Sequence, residues 1–179
     1  MRACQVDDHT LLRFAEPEDA ALILDFIRAL AEYEKLLDLV EATEEGLRGY
    51  LFEDKMAEVV ICEYDGSPAG FALFFHNFST FLGRPGIYIE DIFVKPAFRG
   101  RGLGKLLLSF LARLACERNC GRLEWACLDW NSPSIEFYKS QGARPLDEWT
   151  CYRVTGKALS DLGGKFPAGK QRAEVLKSS

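Results

Sequence analysis

Apolar positions along the chain repeat with two periods, and the switches between them mark out its elements. Thr10 to Ala15 is a short apolar run that reads as a first strand. Ile23, Phe26, Ile27 and Leu30 then recur at helical spacing behind Pro17, which is suited to a first helical position and has Glu18 and Asp19 beside it. The stretch 17–34 is therefore an expected amphipathic helix, with an acidic last turn, Ala31-Glu32-Tyr33-Glu34, where a helix C-terminus favours bases. Thr43, followed by Glu44 and Glu45, reads as the N-cap of a second helix. Strand formers over 58–64 and 70–75 flank the hairpin signal Asp65-Gly66 and predict an antiparallel pair. Gly83, Pro85 and Gly86 break the stretch 76–86 into an expected loop.

The next stretch, IYIEDIFVKPAFRGRGLGK over 87–105, organises the rest. Ile87, Ile89, Ile92 and Val94 predict a buried strand over 87–94 that carries two charges, Glu90 and Asp91. Charges in such a strand are expensive unless they have a partner or a task. After a glycine-rich turn, Leu106, Leu107, Phe110, Leu111 and Leu114 predict a helix over 103–117. A strand is expected over 122–128, and a helix follows with Ser132 as N-cap, Pro133 at its first position and Gly142 at its C-terminal cap. Trp149 to Val154 reads as a last strand. Beyond it, glycines, Pro167 and lysines predict a short helical turn and then a mobile tail. The order predicts a mixed α/β domain over 1–158, antiparallel in its first half, and a C-terminal tail over 159–179.

Composition narrows this. At 179 residues and 48% hydrophobic, the chain suits one well-buried domain. A net charge of −5 without a basic block argues against nucleic acid. No apolar run reaches the length of a membrane span and the start lacks the apolar core of a signal peptide, so the expectation is a cytoplasmic protein off the membrane. The six cysteines, in apolar segments, read as reduced core residues. His9 and His76 stand at no ligand spacing, so no metal is expected.

The turn Arg99-Gly100-Arg101-Gly102-Leu103-Gly104-Lys105 ends on a helix N-terminus, whose free backbone N–H groups and dipole suit phosphate oxygens. A dinucleotide fingerprint needs G-x-G-x-x-G and a later acidic residue closing a strand, and a P-loop needs Ser or Thr where Leu106 stands. A surface turn that needs glycine for geometry only is the remaining alternative. The pattern Arg99-x-x-Gly102-x-Gly104, together with YIEDIFV, LAEYEK and DWN-x-PSI-x-FYK-x-x-GA, resembles the GNAT superfamily of acetyl-CoA-dependent N-acetyltransferases. Within it, the likeness is to the spermidine/spermine and thialysine acetyltransferase branch and covers about residues 10 to 155.

The resemblance implies a central, mostly antiparallel sheet flanked by helices and splayed between its fourth and fifth strands, 87–94 and 122–128. It implies acetyl-CoA as cosubstrate, a small cationic amine as acceptor, and a homodimer. In catalysis it gives Glu90 as general base acting through water and Tyr138 as the acid that protonates the leaving thiolate. For the coenzyme it gives the backbone of Ile92, Phe93 and Val94 to the pantetheine arm and the 99–105 loop to the pyrophosphate. Asn131 and Ser134 line the pantetheine side, with Lys105 and Lys139 as phosphate partners. Tyr33, Glu34 and Asp91 match the positions that receive the amine, and Glu124, Trp125 and Ala126 a substrate-lining stretch. The residues alone leave a buried ion pair open for Glu90 and do not choose between Phe137 and Tyr138. Thr80 and Leu82 depart from the Asp and Trp of the polyamine enzymes, which puts a long polyamine in doubt. A protein-lysine or N-terminal acetyltransferase, and a non-catalytic acetyl-CoA sensor, are the competing readings.

Overall fold

The computed structural model describes residues 3–167, and its contacts divide into two units, one through Leu128 and one from Asp129. Six strands in chain order form one sheet in the first unit: β1 (Ala3–Gln5), β2 (Thr10–Phe14), β3 (Glu58–Tyr64), β4 (Ser67–Ser79), β5 (Arg84–Val94) and β6 (Leu123–Trp125). Neighbours are antiparallel from β1 to β5, while β6 runs parallel to β5. A parallel neighbour needs a crossover, and α3 (Leu103–Glu117) supplies it. Between β2 and β3 lie α1 (Ala20–Glu34), entered through a 3₁₀ turn at Pro17–Asp19, and α2 (Glu44–Arg48), which continues as a π turn.

Alternation along the strands gives the sheet two apolar faces. Phe71 and Phe93 lie on one, packed with Val59, Ile61 and the α1 residues Ile23 and Phe26. Phe26 stacks on Phe71 with ring centroids 5.0 Å apart. Val60, Cys62, Ala72, Phe74, Ile87 and Ile89 alternate onto the other face, toward α3, which buries Leu103, Leu107, Leu111 and Ala115. Arg13 on β2 pins the entry to α1, with Nη1 2.7 Å from Asp19 and Nε 2.7 Å from Glu63. Thr43 caps α2 as its sequence predicts, accepting from the Gly46 N–H at 3.1 Å.

Several expectations are corrected. Most of the expected loop 76–86 is hairpin, because β4 and β5 stay in register out to Ser79 opposite Arg84 and only 80–83 turn. The strand of 122–128 shrinks to Leu123–Trp125. Trp149–Val154 is no strand: it has no ladder partner among the described residues, and Trp149 and Tyr152 are 73% and 89% exposed. Strand-forming residues alone do not make a strand whose N–H and C=O groups find no partner. The short strand β1 escaped the sequence reading. Of the cysteines only Cys62 is buried in the core; Cys116 and Cys151 are exposed.

The second unit contains α4 (Ser132–Ser140) and α5 (Gly156–Gly163). Asn131, not Ser132, caps α4, since its side chain accepts from the Ser134 N–H. Gly142 follows α4 with φ at 88°, a conformation only glycine adopts without strain. The two-turn α5 is longer than the expected single turn. The part of the expected tail over 168–179 lies outside the described residues.

Candidate active site

On β5 the ladder to β4 pairs Phe74 with Ile89 and Leu73 with Asp91, which leaves Glu90 as the extra residue of a β-bulge. Without it, Ile89 and Asp91 would share a face. With it, Ile89 stays in the core beneath α3 at 1% exposure and Asp91 turns to the α1 face. Glu90 is exposed and has no ion-pair partner among the described residues, so the buried ion pair left open by its sequence is not formed.

Asp91 meets the C-terminal end of α1. That helix closes through Lys35 in the left-handed region at φ 62°, with the Leu36 N–H donating to the Ala31 carbonyl at 2.8 Å. Its last turn has no base, so the negative end of the helix dipole adds to Glu34. Burial pushes the Asp91 carboxyl up to about 6, and the nearby charges of Glu90 and Glu34 push the same way. Burial also raises Glu34. Three carboxylates therefore gather where a bulge, a strand and a helix end meet, and none of them forms a salt bridge among the described residues.

An Asp raised from 3.8 to about 6 binds its proton more tightly folded than unfolded, so its ionisation costs stability as pH rises through that window. Asp91→Asn is expected to raise the melting temperature at pH 7.5 by relieving up to about 3 kcal/mol, with the gain fading below about pH 4. Thermal melts across that range check it; a variant less stable than wild type at pH 7.5 refutes it.

Arg99 reaches back over the same region. Its guanidinium carbon lies 4.7 Å from the Tyr33 ring centroid and 5.7 Å from that of Phe93, and its Nε donates to the Val94 carbonyl at 3.0 Å. Tyr33, Glu34, Glu90, Asp91 and Arg99, far apart in sequence, are thus brought together. The loop beyond turns through Gly100 at φ 77° and Gly102 at φ 80°, where a side chain would be strained, and a Cβ at either would meet nothing within 4 Å. Leu106 N–H bonds back to the Gly102 carbonyl, so the N–H groups of Leu103, Gly104 and Lys105 make the orphan first turn of α3. Arg101 stacks over Tyr64 at 4.9 Å and Lys105 is exposed at the same end. Open space, orphan donors, the dipole and three basic side chains fit a diphosphate. From Glu90 to Val94, β5 has no ladder partner on its β6 side among the described residues, because pairing stops at Ile89 opposite Trp125. The sheet opens there, and the backbone of Ile92, Phe93 and Val94 suits an extended amide-bearing arm.

Glu124 is set back along the sheet. Its Oε2 accepts from Asn77 Nδ2 at 2.7 Å and lies 2.9 Å from Arg122 Nε. Trp125 is half-buried at the end of β6, and Ala126, just past it, is exposed. Asn77 and Arg122 were missed in the sequence, where they stand on separate segments with no motif between them. In the second unit, Asn131 is buried and its Oδ1 holds the Ser134 N–H at 3.4 Å. Lys139 pairs with Glu136 at 3.2 Å. Tyr138 and Phe137, ring centroids 5.2 Å apart, are both half-buried, so burial does not choose between them. Among the described residues no group of metal-ligating side chains gathers, and no helix is long and apolar enough to cross a membrane.

Comparison with known proteins shows the family. The model of the acetyltransferase (GNAT) family matches residues 23–143. A thialysine N-epsilon-acetyltransferase of Bos taurus is 39% identical over 87% of this chain and 98% of its own. The L-ornithine N5-acetyltransferase NATA1 of Arabidopsis thaliana is 34% identical over 84% of this chain and 86% of its own. Among solved structures, an integron cassette protein from the mobile metagenome of V. cholerae superposes with a TM-score of 0.73 at 27% identity, covering 88% of this chain and 99% of that one. The family model over most of the chain and the relatives matched along nearly their whole length show that the chain belongs to the GNAT acetyltransferase family and is an N-acetyltransferase.

Proposed function

We propose that the chain acetylates the terminal amine of a small cationic amino acid or short diamine, with acetyl-CoA bound along β5 and the 99–105 loop. The observation that carries this reading is the cluster of Glu34, Glu90 and Asp91 at the bulge, beside the open backbone of β5. A homodimer, on the resemblance, working in the cytoplasm, on the pattern of the sequence, is part of the reading.

A lysine-type amine arrives as an ammonium, and holding it neutral at pH 7 costs about 4 to 5 kcal/mol. Asp91 and Glu34 draw the cation in, and Tyr33 offers an aromatic wall. Acetyl-CoA supplies the acetyl group as a thioester. Glu90, exposed and without an ion-pair partner, accepts the amine's proton through water as the N–C bond forms. Tyr138 gives its phenolic proton to the sulfur as the C–S bond breaks. Glu90 then returns its proton to solvent and Tyr138 takes one back.

A thiol-release screen of thialysine, ornithine, short diamines, spermine and lysine peptides tests the reading. Thialysine or a short diamine is expected to exceed spermine modestly in kcat/KM. Thr80 offers no charge to a far ammonium, and an exposed pair of that kind is worth only about 0.2 to 1 kcal/mol. A strong preference for spermine or peptides rejects it, and acetyl-CoA binding without turnover of any amine returns the sensor.

A further inference from the structure

The α1 face of the sheet continues past the carboxylate cluster. Leu73, Phe75 and Asn77 alternate onto it from β4, and the ladders set Leu73 opposite Asp91, Phe75 opposite Tyr88, and Tyr88 opposite Glu124. Asp91, the half-exposed Phe75–Tyr88 ring pair and the Glu124–Arg122–Asn77 group thus lie in sequence along one surface. We propose that Arg122 and Glu124 form a head-group site for the α-carboxylate and α-ammonium of an amino-acid substrate whose terminal amine lies at Asp91 and Glu90. This rests on the acetyl-transfer reading above and adds the substrate's other end.

The pair is partly open, with side chains 32% and 27% exposed. Among the described residues, the two terminal nitrogens of Arg122 and the Oε1 of Glu124 have no protein partner. Those terminal nitrogens form a planar fork suited to a carboxylate, and Oε1 is an acceptor for an ammonium. The other side of the group is tightly seated. A Cβ on Gly86 would lie 2.4 Å from Asn77 Oδ1 and 2.8 Å from Arg122 Cγ, so only glycine lets both side chains settle there.

Seating leaves Asn77 Oδ1 and Arg122 Nε buried without a hydrogen bond, Nε lying 2.9 Å from Glu124 but out of line. Of the two, Nε keeps the attraction of the Glu124 carboxylate, whereas Asn77 Oδ1 is left a buried acceptor without a donor, which folding stability alone does not favour. Glu124 and Asp91 lie on adjacent strands, offset by the two ladder steps from Leu73 to Phe75, which puts their Cα atoms on the order of 8 Å apart. The Cα and terminal nitrogen of a lysine-length amino acid are about 6 to 7 Å apart when extended. A polyamine would instead bring a second ammonium against Arg122, a like-charge contact that disfavours it.

The test compares thialysine with bis(2-aminoethyl) sulfide, the same molecule without its carboxylate. Wild type is expected to favour thialysine in kcat/KM. Arg122→Gln should cost thialysine roughly 10- to 100-fold, mostly in KM, and leave the sulfide diamine unchanged or improved, with Arg122→Lys restoring part of the loss. Equal use of both substrates by wild type overturns the site while leaving acetyl transfer intact, and needs no variant. An equal loss on both substrates in Arg122→Gln makes the pair a structural clamp and also overturns it. Should no amine release thiol, the acetyl-transfer reading fails instead. Calorimetry of thialysine against its decarboxylated analogue on the wild-type protein then still decides for or against the head-group site.

Discussion

Tyr138→Phe is expected to lower kcat by roughly 10² to 10⁴ with coenzyme affinity nearly unchanged. The substitution keeps the ring, its packing beside Phe137 and the backbone of α4, whose Tyr138 carbonyl accepts the Ala143 N–H at 3.1 Å. Only the phenolic proton is lost. A phenol titrates near 10, close enough to a thiol to donate to a departing thiolate, and an ordinary carboxylate, titrating near 4, cannot replace it at pH 7 because it carries almost no proton to give. The loss should therefore persist at high pH, where a better nucleophile does nothing for the leaving group. Phe137→Leu, on the neighbouring ring, should instead act on stability. Steady-state rates with calorimetric coenzyme affinity check this. An unchanged kcat for Tyr138→Phe, or a fall that alkali repairs, removes Tyr138 from the acid role.

How far the sequence carries can be read at β5. The apolar steps from Ile87 to Ile89 and from Ile89 to Ile92 are two residues and then three, and that break in alternation is the only local trace of the bulge. The strand's C-terminal end at Val94, the glycine turn and α3 were legible because glycine, proline and helical period are local signals. Which face Asp91 would take was not, since it depends on register with β4. The hairpin beyond Phe75 was hidden by His76 and Asn77, polar residues that ladder pairing tolerates where one face is half open. Trp149–Val154 failed the other way, carrying strand-forming residues without a ladder partner among the described residues. Asn77, Gly86 and Arg122 meet only across three strand segments, so no window of sequence contains their contact.

Glu90→Gln is expected to lower kcat/KM at pH 7 by roughly 10² to 10⁴, and here alkali should help. The variant keeps the bulge, because an exposed side chain of the same length replaces another, but it cannot take the proton from the attacking amine. Its rate should then climb about tenfold per pH unit as the fraction of neutral amine rises toward a pKa near 10.4, narrowing the gap to wild type. A second change marks the removed charge itself. Glu90 is one of the two neighbours that raise Asp91, so its loss should lower the Asp91 pKa from about 6. If an ionised Asp91 receives the ammonium, the acid limb of the kcat/KM profile moves to lower pH in Glu90→Gln while the alkaline climb appears. Tyr138→Phe should show neither shift. A pH–rate series on both variants separates the roles. A wild-type profile at undiminished rate in Glu90→Gln makes Glu90 a structural carboxylate and passes the base to Asp91, which already lies on the α1 face at the mouth of the site, or to Glu34 beside it.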